Sequence, residues 1–356
     1  MMKHLFPFII ILTCWHTLAC GKDSSTGSPN PPPAGGGAQT PQRPGSLGLV
    51  GDTADVIKST GGGMVLMGGG TDVDAAFKWM IDRSGGGDVV IIRASGTDAY
   101  NPYVYKLGAV NSVETLLINS RELADNDAIA RIIRNAEMLF IAGGDQSKYR
   151  EYWKGTKTEA AINYLLNEKK TPVGGTSAGC AILGNLYYSG ETGGVTSEEA
   201  LNNPYNVNIT LYNSDFIQSG QLKNVITDQH FLTRSREGRT MTFLGRIMKD
   251  WSVAAKGIAV DERTAVCIDK EGTAKIFGSS KAYFLLTDSS KKPEQFQVGQ
   301  KVTWSDNEKA VRVYEITGSN SGAGSVNTVS FDVDSFSGGT WYYWYIANGV
   351  LFKKQL

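Results

Sequence analysis

The stretch Thr171–Leu183, TPVGGTSAGCAIL, joins a short apolar run ending in glycines to a second apolar run that can begin a helix. Between the two runs stands G-T-S-A-G, residues 175–179. A G-x-S-x-G sequence between a strand and a helix is typical of the sharp turn called a nucleophile elbow. The flanking glycines permit such a turn, and the helix start and the Ala178 amide can stabilise an oxyanion. The stretch therefore predicts a strand–turn–helix unit with Ser177 as candidate nucleophile.

Four further short apolar runs precede this unit, and segments with helical spacing separate them. The runs are MVLMGGG (64–70), DVVIIRAS (88–95), VETLLINS (113–120) and AEMLFIAGG (136–144). Continuous apolar runs that alternate with helical patterns indicate buried parallel strands joined by crossover helices. We therefore predict an α/β fold, with a mostly parallel sheet flanked by helices on both faces. Sites in such sheets lie at the carboxyl ends of the strands, where the Gly-Gly turns and GTSAG fall.

The composition changes beyond about Ser289, where Val, Thr, Tyr and Trp become frequent and Gly, Ser and Asn mark turns. These patterns predict antiparallel strands, so residues 289–356 are expected to form a β-rich C-terminal extension. The extension is either a small appendage or a segment packed onto the sheet. Its aromatic cluster WYYWY, residues 341–345, fits alternating burial of large rings, which we favour over an aromatic binding face.

The N-terminus has the pattern of an export signal. Residues 1–19 combine a basic start with an apolar run shorter than the ~20 residues of a membrane-spanning helix. The sequence TLAC at 17–20 resembles a bacterial lipoprotein signal with Cys20 as lipidation site, and a plain secretory signal is the alternative. The Pro/Gly/Ser-rich residues 20–46 predict a flexible tether before a globular domain at 47–288. We expect an exported protein, lipid-anchored at the bacterial cell envelope or extracellular.

Charge and cysteine content exclude several classes of partner. The 35 Lys+Arg balance the 35 Asp+Glu, which disfavours nucleic-acid binding, and membrane contact is expected only through the lipid anchor. Of the four cysteines, only Cys180 and Cys267 fall in the globular part, and we expect both to be buried and unpaired. One histidine and two distant cysteines cannot form a zinc site, and MGGG at 67–70 lacks dinucleotide-binding spacing. No metal or cofactor is expected.

A serine nucleophile needs a base at neutral pH, and the sequence offers one histidine for this role. His4 and His16 fall in the predicted signal, which leaves His230. A cationic group follows it, consisting of Arg234, Arg236 and Arg239. These arginines are either a solvated face or a carboxylate-binding element, since a guanidinium binds a carboxylate through two parallel hydrogen bonds.

The acid that would orient His230 has several candidates in the sequence, namely Asp228, Asp250, Asp261 and Glu262. The segment KGIAVDERTAVCI, residues 256–268, predicts a strand, a polar turn and a second strand. That arrangement would present Asp261 or Glu262 at a strand end on the side of the serine. Chain order alone does not separate the candidates.

Four motifs taken together resemble the cyanophycinase branch of the S51 serine peptidases, a family that also includes the aspartyl dipeptidases. The motifs are IAGGDQ (141–146), GGTSAGC (174–180), DQHFLTRSREGR (228–239) and GIAVDERTAV (257–266). The similarity spans roughly residues 60–288. It implies a sheet of the class I glutamine amidotransferase-like or flavodoxin-like kind. It also implies Ser177 as nucleophile, His230 as base and Glu262 as orienting acid.

The same resemblance implies an oxyanion hole formed by the amides of Gly144 and Ala178. It further implies a substrate pocket formed by Gln146, Asp228, Gln229, Arg234, Arg236 and Arg239. Members of the family hydrolyse β-aspartyl linkages, and cyanophycinases degrade the aspartate/arginine polymer cyanophycin to β-Asp-Arg dipeptides, often as dimers. We therefore expect an exported serine peptidase that cleaves β-aspartyl isopeptide bonds through an acyl-enzyme, with a β-aspartyl peptide or cyanophycin as substrate and a homodimer as assembly.

Two other functions remain open at this stage. An esterase of the α/β-hydrolase type is one, although that fold orders its triad as serine, acid, histidine, whereas here the best acid follows the histidine. A surface-anchored binding protein on a non-catalytic S51 scaffold is the other, with the aromatic C-terminal segment as its contact surface.

Overall fold

Two β-sheets carry the fold in the computed structural model, which describes residues 43–356. One sheet has nine strands and the other has eight. In chain order the strands are β1 (Ser46–Gly51), β2 (Met64–Met67), β3 (Asp88–Arg93), β4 (Ser112–Leu117), β5 (Met138–Ile141), β6 (Val173–Thr176), β7 (Leu186–Tyr188), β8 (Leu211–Asn213), β9 (Val225–Gln229), β10 (Lys256–Val260), β11 (Thr264–Ile268), β12 (Thr273–Gly278), β13 (Lys281–Leu286), β14 (Val311–Thr317), β15 (Ala323–Asn327), β16 (Thr340–Ala347) and β17 (Val350–Gln355).

The helices connect the strands of the first half of the chain and support the second sheet. In chain order they are α1 (Asp74–Arg83), α2 (Tyr100–Leu107), α3 (Arg121–Ala124), α4 (Asp127–Asn135), α5 (Gln146–Trp153), α6 (Lys157–Tyr164), α7 (Ala178–Ala181), α8 (Ser197–Asn202) and α9 (Glu237–Trp251). A π-helical turn, Leu165–Lys169, extends α6. Within the part of the chain that the structure describes, no helix has the length and apolarity needed to cross a bilayer.

The nine-stranded sheet has the order β1-β4-β3-β5-β6-β2-β11-β12-β15. Its five inner strands, β4, β3, β5, β6 and β2, are parallel, and the outer strands pair antiparallel. Along β5, Met138 and Phe140 pack with α1 and α2, while Leu139 and Ile141 pack with α4, α5 and α6. Helices thus cover both faces of the sheet. The predicted α/β fold with a mostly parallel sheet is confirmed.

The eight-stranded sheet was not foreseen as a separate element. Its order is β17-β16-β14-β13-β10-β9-β7-β8, and only the pairs β10–β9 and β9–β7 are parallel. The predicted strand–turn–strand at 256–268 is present, but its two strands belong to different sheets, β10 to the second and β11 to the first. The chain therefore crosses between the sheets at residues 261–263 and brings the end of β10 beside the end of β2.

The C-terminal region is β-rich, as predicted, and its strands extend both sheets. β14 pairs with β13 in the eight-stranded sheet, and β15 pairs with β12 in the nine-stranded sheet. Ile316 of β14 is fully buried in the same apolar core as Leu66 of β2. In the aromatic cluster, Trp344 is buried, while Trp341 and Tyr342 are half-buried.

The predicted signal at 1–19, the lipidation site Cys20 and most of the predicted tether lie outside the described residues. The first described residues already contact the nine-stranded sheet. The Arg43 guanidinium donates two hydrogen bonds, of 2.9 and 2.6 Å, to the buried Glu114 carboxylate, and β1 begins at Ser46. Cys180 and Cys267 are buried and unpaired, which confirms the prediction for both.

Because Ile316 lies in the shared core, Ile316→Ala should lower the free energy of unfolding by about 2–5 kcal/mol, through lost burial and the cavity left behind. Thr317→Ala, at the exposed next position of the same strand, should change it by less than about 0.5 kcal/mol. Urea denaturation of both variants measures the difference. Equal values would show that the C-terminal strands are only loosely attached to the rest of the fold.

Candidate active site

Ser177 occupies a strained turn between β6 and the helical turn α7. Its backbone has φ 52° and ψ −118°, a conformation that side-chain-bearing residues rarely adopt. A methyl group at Gly175 would lie 2.6 Å from Gly179 C, and one at Gly179 would lie 2.1 Å from Ile141 O. Both flanking positions therefore require glycine. The helix expected after the serine is a single turn, Ala178–Ala181, so its dipole contributes little here. Of the two groups expected to stabilise an oxyanion, only the Ala178 amide remains a candidate.

Ser177, His230 and Glu262 form a continuous chain of hydrogen-bonding groups. Ser177 Oγ lies 2.7 Å from His230 Nε2, and His230 Nδ1 lies 2.7 Å from Glu262 Oε1. A carboxylate can only accept, so it favours the tautomer with the proton on Nδ1 and leaves Nε2 free to accept from the serine hydroxyl. The three residues follow β6, β9 and β10, which places them where the two sheets meet.

Among the four acids that the sequence offered, Glu262 is the one bonded to His230. Its neighbour Asp261 accepts hydrogen bonds from the Thr233 amide and hydroxyl, both at 2.9 Å, and from Ser280 Oγ at 2.7 Å. Burial alone would raise the pKa of Asp261, but these donors outweigh it and keep that pKa below its usual value. Asp261 thus fixes the loop that follows His230.

Asp228 forms a buried ion pair with Arg239, whose Nε and Nη2 donate to the two carboxylate oxygens at 2.9 and 2.5 Å. Thr240 Oγ1 adds a third hydrogen bond of 2.6 Å. Burial alone would raise the pKa of Asp228, but the Arg239 charge outweighs it and lowers that pKa. Asp228 and Arg239 therefore use their charges to bind each other in the protein interior. Asp250, the remaining candidate acid, pairs with Arg246 on α9.

The glycine turn after β2 makes the close contacts that the site needs. A methyl group at Gly69 would lie 2.3 Å from His230 Cε1, and one at Gly70 would lie 2.8 Å from Glu262 Oε2. Gly68 O accepts the His230 amide at 2.8 Å. The sequence pattern suggested only a strand-end turn at these glycines, and their contacts with His230 and Glu262 were missed. A run of three glycines directly after a buried strand is the signal that could have drawn attention to them.

The glycine pair after β5 lies on the other side of Ser177. A methyl group at Gly143 would lie 3.4 Å from Ser177 Cβ, whereas one at Gly144 would lie 2.7 Å from Tyr149 Oη. Tyr149 Oη also donates to Ala142 O at 2.8 Å, which holds this turn in place. Gly144 follows β5 and Ala178 follows β6, the neighbouring strand, and their role as oxyanion hole stays a prediction.

The predicted pocket residues differ in how far they reach solvent. Arg234 is exposed, Arg236 is half-buried, and its Nη1 donates to Gln229 O at 2.8 Å. Gln229 is 4% exposed, and its Oε1 has no hydrogen-bond partner among residues 43–356. Gln146 is half-buried at the start of α5, and its side-chain amide lies close to Gly190. A methyl group at Gly190 would lie 3.0 Å from Gln146 Nε2. The buried, unpaired Gln229 oxygen can accept a hydrogen bond from a ligand.

Electrostatics keep His230 in the neutral form that a base requires. Burial lowers the pKa of His230 below its ordinary 6.5, and the charges of Arg234 and Arg236 lower it further, against the Glu262 carboxylate, which raises it. Burial also lowers the pKa of Arg236 to about 10, so this guanidinium keeps its charge at neutral pH. Within residues 43–356, no three His, Cys, Asp or Glu side chains are grouped to hold a metal ion.

With fold and geometry established, the sequence model of peptidase family S51 matches residues 64–276, which include the serine, the histidine and the glutamate. The chain belongs to peptidase family S51. Curated cyanophycinases from Synechococcus elongatus and Trichormus variabilis are 28% and 27% identical to it over 169 and 178 residues, or 48% and 49% of this chain. These alignments cover 48% and 52% of the two relatives, so the chain spans about half the length of the curated relatives it matches.

Two solved structures are also similar. A peptidase from an acI-B1 Actinobacterium has 17% identity and a TM-score of 0.46, covering 63% of this chain and 91% of that one. A putative peptidase E protein from Listeria monocytogenes EGD-e has 18% identity and a TM-score of 0.41, covering 62% and 99% of the respective chains.

Because Gly69 lies against the imidazole and has a positive φ of 104°, Gly69→Ala should displace His230 and lower the reactivity of Ser177 by about 10²-fold or more. The measurement is the rate at which a fluorophosphonate labels Ser177. Gly194→Ala is the control, because a methyl group at Gly194 has nothing within 4 Å. Wild-type labelling in a Gly69→Ala protein that is fully folded would contradict the role given to this contact.

The lowered pKa of His230 sets the pH profile of the same labelling reaction. Since the imidazole loses its proton below pH 6.5, the labelling rate should reach half its plateau below that pH. Arg234→Gln removes a charge that disfavours the imidazolium, so it should move the midpoint upward. Arg131→Gln, an exposed substitution on α4, should leave the midpoint in place. A midpoint above 6.5 in the wild type would refute this account of the imidazole.

Proposed function

We propose that the protein is a serine-type hydrolase of β-aspartyl peptides in which Ser177 is the nucleophile, His230 the base and Glu262 the orienting acid. The observation that carries this proposal is the chain of two 2.7 Å contacts from Ser177 Oγ through the imidazole to the carboxylate. Membership of peptidase family S51 supports it. The acid bonded to the histidine follows it in the chain, the reverse of the order in α/β-hydrolase esterases, which argues against the esterase alternative.

In the proposed mechanism, His230 Nε2 takes the hydroxyl proton as Ser177 Oγ bonds to the carbonyl carbon of the substrate amide. The carbonyl oxygen becomes an oxyanion beside the amides of Gly144 and Ala178, where the loss of one donor would cost ~10²–10³ in turnover. The imidazolium then gives its proton to the leaving amine, which leaves an acyl-enzyme. Water, deprotonated by His230, hydrolyses the ester and restores Ser177. Glu262 stabilises the imidazolium in both half-reactions.

A β-aspartyl peptide carries a free or amide-linked α-carboxyl group beside its β-carbonyl. The proposed pocket has arginine and glutamine side chains that can bind this α-carboxyl group. Arg234 and Arg236 lie beside the segment that carries the imidazole, since the Arg234 amide donates to His230 O at 2.9 Å and Arg236 Nη1 donates to Gln229 O at 2.8 Å. The Gln229 amide oxygen offers a buried acceptor for a substrate N–H, and Gln146 begins α5, directly after the turn that contains Gly143 and Gly144. In this proposal the Asp228–Arg239 pair supports the pocket wall instead of contacting substrate.

Cyanophycin is the substrate we propose, because the curated relatives are named cyanophycinases. Release of β-Asp-Arg from the polymer keeps the isopeptide link between the two residues and breaks the amide between successive aspartates. Attack on the isopeptide itself would release arginine instead. The two reactions share the nucleophile and differ in which carbonyl carbon faces Ser177 Oγ, so their products separate them.

We further propose that the protein acts outside the cytoplasm and that Cys20 carries the lipid anchor. The support is the sequence of residues 1–46, with its apolar run, its TLAC motif and its Pro/Gly/Ser-rich stretch. Such a tether would hold the enzyme close to a membrane surface while leaving its pocket open to a polymer. Assembly as a homodimer remains an expectation from the family resemblance.

Ser177→Ala should lower the release of β-Asp-Arg from cyanophycin by a factor on the order of 10⁶, because no other group replaces the nucleophile. Mass analysis of the products, with isoaspartyl dipeptides as parallel substrates, measures both the rate and the bond that is cleaved. Ser321→Ala, at an exposed serine, should retain wild-type turnover. Undiminished dipeptide release by Ser177→Ala would remove the proposed nucleophile.

A further inference from the structure

A cavity of about 510 Å³ lies beside the triad, at the carboxyl edge of the nine-stranded sheet. Its lining includes Gly70, Asp72, Asp74, Arg93, Tyr100 and Tyr103. These residues follow β2, end β3 or belong to the next helices, α1 and α2, and β5 and β6 lie between β2 and β3 in the sheet. Since Ser177 follows β6, the cavity and the serine share one edge. The cavity also begins at Gly70, the residue that packs against Glu262.

Two carboxylates on one wall give the cavity its character. Tyr100 Oη donates to Asp72 at 2.8 Å, and Tyr103 Oη donates to Asp74 at 2.6 Å. Neither carboxylate has a cationic partner within residues 43–356. Burial raises the pKa of Asp72 despite the Tyr100 hydrogen bond, and the Asp74 charge raises it further. A cation entering the cavity would stabilise the ionised form of Asp72.

Arg93 provides the opposite charge on the lining. Its guanidinium is oriented by two backbone carbonyls, with Nη1 donating to Thr97 O at 2.6 Å and Nε donating to Ser95 O. Nη2 forms no hydrogen bond with the described chain. The cavity therefore presents two carboxylates without a cationic partner in the described chain, together with an oriented guanidinium. This combination suits a ligand that carries both charges.

We propose that this cavity is the subsite for an arginine-bearing unit of the substrate, with the ligand guanidinium bound by Asp72 and Asp74. This inference rests on the proposed function, and it adds the side-chain preference of the same site. A planar guanidinium donates in a fork that carboxylates accept in pairs, and aromatic walls such as Tyr100 and Tyr103 favour it over a strongly hydrated ammonium. Arg93 Nη2 is placed to take a carboxylate of the same unit. A β-Asp-Arg unit carries both groups.

The test measures binding without turnover. β-Asp-Arg and β-Asp-Lys are titrated by calorimetry into the full chain carrying Ser177→Ala, and into the same protein carrying Asp72→Asn or Asp74→Asn in addition. Each neutral substitution should weaken β-Asp-Arg binding by about tenfold or more, the scale of a charged hydrogen bond. β-Asp-Lys should bind more weakly than β-Asp-Arg and lose less on substitution. Asp82→Asn, at an exposed position of the same helix, should leave both affinities unchanged.

Turnover by variants with an intact Ser177 separates the subsite from the proposed function. Asp72→Asn should raise KM for cyanophycin with kcat largely retained, because the carboxylate binds substrate away from the reacting atoms. If the wild type cleaves cyanophycin and β-Asp-Arg binds Asp72→Asn as well as its parent, or binds neither, the subsite is wrong and the function stands. If the wild type cleaves no β-aspartyl substrate but binds β-Asp-Arg through Asp72, the subsite stands and the function is wrong.

Discussion

The site depends on the contact between the glycine turn after β2 and the chain that leaves β9 and β10. Gly68 O accepts the His230 amide, and Gly69 and Gly70 leave the space that the imidazole and the Glu262 carboxylate fill. Ser177 follows a strand of one sheet, and His230 follows a strand of the other. Their 2.7 Å separation therefore requires both sheets to meet at a fixed distance, and three consecutive residues without a Cβ make that approach possible.

A buried ion pair between Asp228 and Arg239 stabilises the part of the site that contains His230. Arg239 and Thr240 on α9 hold Asp228 at the end of β9, two residues before His230. Replacing one member of such a pair leaves an uncompensated charge in the protein interior, which typically costs about 3–5 kcal/mol. The pair thus links the position of His230 to the packing of α9. Residues with this role are distant from the reacting atoms and still determine the geometry of the site.

The sequence was most informative where a local pattern determines the structure. The apolar runs after Met64 predicted the parallel strands, because buried strands read as continuous apolar segments, and G-T-S-A-G predicted the strained serine turn. The second sheet was not recognised, because short strands such as β7 and β8 leave no periodic pattern. The acid could not be chosen from the residues alone, since Asp261 and Glu262 are adjacent and point to different partners. That choice depends on which side chain faces β2 after the chain crosses between the sheets.

The C-terminal strands are built into both sheets, of which the nine-stranded one begins with β1 at Ser46 and the eight-stranded one with β7 at Leu186. β15 completes the edge of the sheet that holds Ser177, and β14 covers β13 beside the strands that carry His230 and Glu262. The pairing of β15 with β12 closes the loop between Gly278 and Ala323, and non-local pairings of this kind form slowly. Residues 311–355 contribute strands to both sheets, so neither sheet reaches its full number of strands without them. The two sheets therefore complete their assembly together, because one segment of the chain, residues 311–327, supplies a strand to each.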